Sequence, residues 1–147
     1  KTILFLFFLI SFVLCDVNYR YLYYKYKNLY KNYEYIEENN IKYDGMFIFD
    51  NYKDICIKPT KIYIKKKLNY EKKFGILIHE LTHYLQCIYS IKYNKLYSSI
   101  TNNKPNKKII DYINKSYNIS HLNEEYEAFY YQNNYLKFNN LEKFVLY

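Results

Sequence analysis

The sequence predicts an α+β domain, with a short mixed or antiparallel sheet of about three strands packed on helices. Two patterns predict it. Lys61-Ile62-Tyr63-Ile64-Lys65 alternates polar with apolar residues, the period of a half-buried strand. From Glu71 to roughly Lys92, Leu77, Leu81, Leu85 and Ile88 fall four, four and three residues apart, the stripe of an amphipathic helix. The chain has 147 residues, with no internal repeat and no linker long enough to divide it, so residues 16–147 are read as one domain.

The chain opens with Lys1 and a continuous apolar run, Thr2 to Cys15. That run is short for a membrane span, which needs about 20 residues. It reads as a secretory signal peptide over residues 1–15, with Val13 and Cys15 before a cleavage point at Asp16, or as an uncleaved membrane anchor. A buried core helix is a third reading. The protein is then expected to be secreted, or membrane-tethered if the segment is retained. Tyr19 to Tyr35 lacks Gly and Pro and reads as a helix. Asn39, Asn40, Asp44 and Gly45 punctuate a turn. Met46 to Phe49 and Ile55 to Ile57 have strand length, the second ended by Pro59. The lysines of Lys61–Lys65 suggest an exposed sheet edge, where charge discourages unwanted pairing. Gly75 weakens the start of the long helix. Asn94 to Asn106 contains Pro105 and reads as a loop. A short helix is expected over Lys107–Ser116, and a last long helix from near Ser120 to about Phe138.

Half of the residues are hydrophobic, which argues against disorder. Only two Gly and two Pro are present, so turns must rely on Asn and Asp. The 23 Tyr residues can build a core whose hydroxyls reach the surface. The net charge of +8 fits either an anionic partner or a bias toward Lys, and the scattered lysines favour the bias. No nucleic-acid partner is expected, and contact with a membrane only through the apolar first segment. Oligomeric state is not readable. Of three Cys, Cys56 and Cys87 remain after signal removal, as a disulfide or as two buried thiols. Asn114-Lys115-Ser116 and Asn118-Ile119-Ser120 match the glycosylation sequon.

His79-Glu80-Leu81-Thr82-His83 has the H-E-x-x-H pattern on the long helix. Residues four apart on a helix differ by about 40° around its axis, so His79 and His83 can face one metal ion. Glu80 stands about 60° from His83, placed to act as base on a water rather than as ligand. The chain has three His in all, and chance yields this pattern roughly 0.004 times in such a composition. Buried imidazoles and a carboxylate are costly in so apolar a helix, and a metal removes that cost. The alternative is two satisfied core histidines.

A catalytic zinc needs a third protein ligand. Tyr89 stands where a metzincin has its third His, and Gln86 where it has Gly, which excludes that class. Glu124-Glu125-Tyr126-Glu127-Ala128 offers three carboxylates. Glu125 shares a helix face with Ala128, Phe129, Gln132 and Leu136, a face able to pack on the zinc helix. Glu125 is therefore the expected third ligand, with Glu127 next, and Glu124 and Glu127 read as solvated or supporting groups. His121 is either an exposed residue near a helix start, a second polarising group or another ligand. Cys87, one turn past His83, is read as structural before ligating.

His79-Glu80-Leu81-Thr82-His83-Tyr84-Leu85-Gln86, followed by a helix bearing Glu125, Glu127, Ala128, Tyr131 and Gln132, resembles a minimal gluzincin zinc metallopeptidase. The resemblance covers the two helices, and the preceding strands by layout alone. It implies a zincin-like fold, Zn2+ held by His79, His83 and Glu125, and Glu80 as catalytic base. It also implies a sheet whose edge strand holds an extended peptide, here assigned to Lys61–Lys65. Phe129 replaces the acidic residue that thermolysin-like members carry after the Ala. The function expected is peptide-bond hydrolysis of a peptide or protein substrate. A zinc-stabilised binding module without catalysis is the alternative, and a basic protein that binds an anionic surface is a weaker third reading.

Overall fold

In a computed structural model, residues 19–117 and 119–147 are described. The signal or anchor segment, its cleavage point and the Asn118 sequon lie outside them. Among the described residues no helix is long and apolar enough to cross a membrane.

The fold is α+β, as predicted. A first helix, α1, covers residues 19–27. Three strands follow, β1 (Glu34–Glu38), β2 (Gly45–Tyr52) and β3 (Ile55–Lys65), then α2 (Tyr70–Tyr93), α3 (Lys107–Ser116), α4 (Leu122–Asn133) and α5 (Phe138–Leu146). The sheet order is β1-β3-β2, with β1 parallel and β2 antiparallel to β3. α2 packs on the sheet and also meets α4 and α5.

Caps explain where the helices begin. Asn69 accepts from the Lys72 amide at 2.9 Å and Asn106 from the Ile109 amide at 3.1 Å. Asn94 closes α2 with φ 49°, the left-handed role that Gly usually fills. Lys53 and Asp54, with φ 49° and 61°, form the two-residue turn between β2 and β3. The scarcity of Gly is thus met by other residues in strained conformations.

Ile62 and Ile64 point from β3 onto Leu77, Leu81 and Leu85, all fully buried. Tyr23 and Tyr26 of α1, and Phe138, Leu141 and Val145 of α5, complete the core. Tyr23 and Tyr26 keep their hydroxyls paired, Tyr23 to Glu37 at 2.6 Å and Tyr26 to Asn139 at 2.6 Å. Cys56 and Cys87 form a disulfide with their Cα atoms 5.3 Å apart, tying the start of β3 to α2. Closing a 31-residue separation stabilises the fold by about 3.5 kcal/mol through loop entropy.

Four expectations need correction. The helix expected over Tyr19–Tyr35 stops at residue 27, and Glu34–Glu38 is a strand. Its Glu34-Tyr35-Ile36 mixture carries no clear period, and pairing with β3 decides its conformation. Ile55–Ile57 and Lys61–Lys65 are one strand, because Pro59 sits opposite Phe49 where the register slips beside Ile48 and the ladder tolerates a missing N–H. Lys61–Lys65 is therefore central and not an edge. Its lysines are met across the sheet by Glu34 at 3.2 Å and Asp44 at 3.4 Å. Finally, the long last helix is broken at Asn134 into α4 and α5, and Leu136 is exposed rather than on the Glu125 face.

Candidate metal centre

α2 brings His79 and His83 one turn apart, and α4 crosses it to deliver Glu125. His79 Nε2 and His83 Nε2 are 3.2 Å apart. Glu125 Oε2 lies 3.3 Å from the first and Oε1 3.4 Å from the second. Ala128 is fully buried where the two helices meet, and the Phe129 ring packs edge-on to His79 at 4.6 Å. These three side chains form a group that could hold a metal ion. Two observations fit a cation. Glu125 Oε2 is buried without a hydrogen bond. Both imidazoles also turn Nε2, not Nδ1, toward the shared point.

The Nδ1 atoms are held from behind. His79 Nδ1 meets Gln132 Oε1 at 3.1 Å, and His83 Nδ1 meets Gln86 Oε1 at 2.8 Å. The Gln86 amide is oriented in turn, because its NH2 donates to Glu127 Oε2 at 2.9 Å and to the Glu124 carbonyl at 3.1 Å. Its oxygen must therefore face His83, which places a proton on Nδ1 and leaves Nε2 for a cation. Tyr97 donates to Gln86 Oε1 at 2.9 Å and stands 3.0 Å from His83 Nδ1.

Glu127 is fully buried and is a strut rather than a ligand. Besides Gln86 it accepts from the Ile100 amide at 2.9 Å, the Thr101 amide at 2.5 Å and the Thr101 hydroxyl at 2.6 Å. It thereby pins the loop after α2 to α4. Glu127→Ala leaves these donors unmet and is expected to destabilise the protein by about 3 kcal/mol or more. It is also expected to weaken metal binding by roughly 10- to 100-fold through the loosened His83. Denaturant midpoints and a metal titration check both; unchanged values dismiss the strut.

Electrostatics follow the same geometry. Burial alone would raise the Glu125 carboxyl, but the facing imidazoles outweigh it and hold the group well below its ordinary range. Burial would lower His83, yet Glu125, Glu80 and the Gln86 carbonyl bring it up to about 9. In metal-free protein a proton on His83 thus offsets Glu125. The unfolded imidazole titrates near 6.5. His83 therefore adds stability that is fully present below about pH 6.5 and is lost as pH rises through about 9. Thermal melts of metal-free protein between pH 6.5 and 9 are expected to fall, and His83→Gln should flatten that slope.

Glu80 is buried one residue along, at the bottom of the cleft. Burial raises its carboxyl; His79 and His83 oppose the rise, Glu125 adds to it and the Phe47 backbone amide opposes it. Gly45 on β2 makes room here, since a Cβ at that position would lie 2.6 Å from Glu80 Oε1 and 2.3 Å from Ile76 Cγ2. Edge strand β2 thus passes directly over the candidate base.

An open cleft runs past the trio between β2 and the loops before α4. One lobe reaches Phe47, Phe49, Tyr97, His121 and Glu124, and the other reaches Gly75, Ile76, Tyr112 and Gln132. Tyr43 and Tyr117 border both. His121 is exposed on the cleft wall, as a residue near a helix start is expected to be. Glu124 is buried in that wall instead of solvated. Cys87 is committed to the disulfide and is no ligand. Gln86 and Tyr97 escaped the sequence reading as functional groups. Gln86 carried a usable signal, one turn after His83 on the same helix, whereas Tyr97 is one tyrosine among 23. Compared with known proteins, the chain matches no family model, no curated protein and no solved structure.

Proposed function

We propose that the protein is a zinc-dependent peptidase. The observation that carries this reading is the convergence of His79, His83 and Glu125 in an open cleft with Glu80 beside them. The two Nε2 atoms lie 3.2 Å apart, and the two oxygens of Glu125 lie 3.3 Å from that of His79 and 3.4 Å from that of His83. A tetrahedral ion with bonds of about 2.0 to 2.1 Å demands ligand separations of about 3.3 Å. Two imidazoles and one carboxylate, with room for a further group, suit catalytic zinc better than a closed structural site.

A bound zinc supplies Lewis acidity for water and for the scissile carbonyl. The chain does the rest. Glu80 takes the proton of the attacking water and returns it to the leaving amine. Gln132 and Gln86 keep the imidazoles aligned. Tyr117, whose phenol is raised first by burial and then by the fields of Glu125, Tyr112 and Glu80, borders the cleft as a donor for the developing oxyanion. β2, and not the Lys61–Lys65 segment, offers the free edge along which an extended peptide can add as a strand. The Cys56–Cys87 disulfide favours an oxidising compartment, in keeping with secretion.

Metal analysis and a mixed-peptide cleavage assay on the purified protein test this together. One zinc per chain is expected, with cleavage stopped by a chelator and restored by zinc. Zinc without cleavage leaves a metal-stabilised binding module; no affinity for zinc removes the whole reading.

A further inference from the structure

The cleft lobe beyond His83 has a composition that the hydrolytic chemistry does not require. Phe47 and Phe49 stack with centroids 5.5 Å apart, and Tyr97 lies 4.7 Å from Phe49. His121 stands 6.4 Å from Tyr97. Glu124 lies in the same wall, with 7% of its surface exposed. No lysine or arginine lines this lobe, and among the described residues none pairs with Glu124. That is unusual in a chain of net charge +8. The opposite lobe differs, since Lys42 and Lys72 there accompany Asp44 and Glu71.

A divalent cation held by His79, His83 and Glu125 would balance the charges of Glu125 and Glu80. Glu124 then remains as a carboxylate with little exposed surface, met by its own backbone amide and by the fields of His121 and His83 but by no lysine or arginine, in a wall shared with three aromatic rings. Such a carboxylate is costly to bury without a cationic partner. Aromatic walls suit the methylene stem of a long basic side chain, and their faces attract its charged end.

We propose that this lobe is a specificity pocket for a lysine or arginine side chain of the peptide substrate, with Glu124 as the group that recognises its charge. The inference rests on the peptidase reading and names the substrate class for it. Phe47, Phe49 and Tyr97 flank the stem, and the cationic end reaches Glu124 at the wall. Because β2 contributes Phe47 and Phe49, a peptide lying along this edge carries one of its side chains into the lobe.

The test uses zinc-loaded protein carrying Glu80→Gln, which is expected to cleave roughly 10²- to 10⁴-fold more slowly and so to leave the ligand intact during a titration. Fluorescently labelled short peptides that differ only in one central residue, lysine, arginine, norleucine or glutamate, are titrated and followed by anisotropy. Norleucine keeps the stem and removes the charge. Lysine and arginine peptides are expected to bind on the order of tenfold tighter or more than the norleucine peptide. Adding Glu124→Gln is expected to bring that ratio close to one, and Glu124→Lys to turn it toward a glutamate peptide. The ratio in the parent protein needs no Glu124 variant to fold. Equal binding of charged and neutral peptides overturns the pocket and leaves the peptidase reading intact. Binding of no peptide overturns both.

Discussion

Glu80→Gln is expected to leave zinc bound and to lower peptide cleavage by roughly 10²- to 10⁴-fold, the usual worth of a positioned general base. The substitution is close to isosteric, and Glu80 is not among the three groups that face the candidate ion. Removing its charge also takes away one carboxylate that raises His83. The variant should therefore hold zinc with similar affinity, fold normally and fail only in the chemical step. Stoichiometric zinc beside a kcat/KM indistinguishable from wild type would show that another group moves the proton. His121 and Glu124 in the cleft wall are then the groups to examine.

Glu125→Ala is expected to act on the metal itself. It removes the carboxylate that lies within 3.4 Å of both imidazoles and leaves two nitrogens to hold the ion. Zinc affinity is expected to fall by more than about 100-fold, beyond the loss typical of a supporting group, and cleavage is expected to fall with it. The same change removes the largest influence raising His83, so the slope of stability between pH 6.5 and 9 should shrink in metal-free protein. A competition titration against a chromophoric chelator measures the first effect and thermal melts the second. Undiminished affinity would reassign the third ligand to Glu124 or His121. Glu127 is excluded by its bonds to Gln86, Ile100 and Thr101, and Cys87 by the disulfide.

The two patterns with a strong period transferred best from chain to structure. The Leu77, Leu81, Leu85, Ile88 stripe and the Ile62, Ile64 alternation each name a buried face directly; all are fully buried except Ile88, which packs half-buried against the core. β1 was not legible, because Glu34–Glu38 has no face of its own and becomes a strand only against Lys61–Lys65. The same omission misplaced the sheet edge. Once β1 covers one side of β3, β2 becomes the edge beside the cleft, and Lys61 and Lys65 become partners of Glu34 and Asp44. Pro59 misled for a related reason, since its cost depends on whether the opposing strand keeps register there.

At the site, the spacing of His79, Glu80 and His83 determined by itself that two imidazoles share a helix face with a carboxylate beside them. This is helix geometry, and it needs no other part of the chain. The helical face shared with Ala128, Phe129 and Gln132 likewise favoured Glu125 over Glu127. Only the tertiary structure decided that Glu125 reaches both imidazoles, that Gln132 and Gln86 orient them, and that Glu127 braces Gln86 against the loop at Ile100 and Thr101. Those relations join residues 26 to 53 positions apart, except for the one turn from His83 to Gln86. A periodic pattern records which side of its own element a residue occupies. It holds no record of which element arrives on that side, and that is settled by packing.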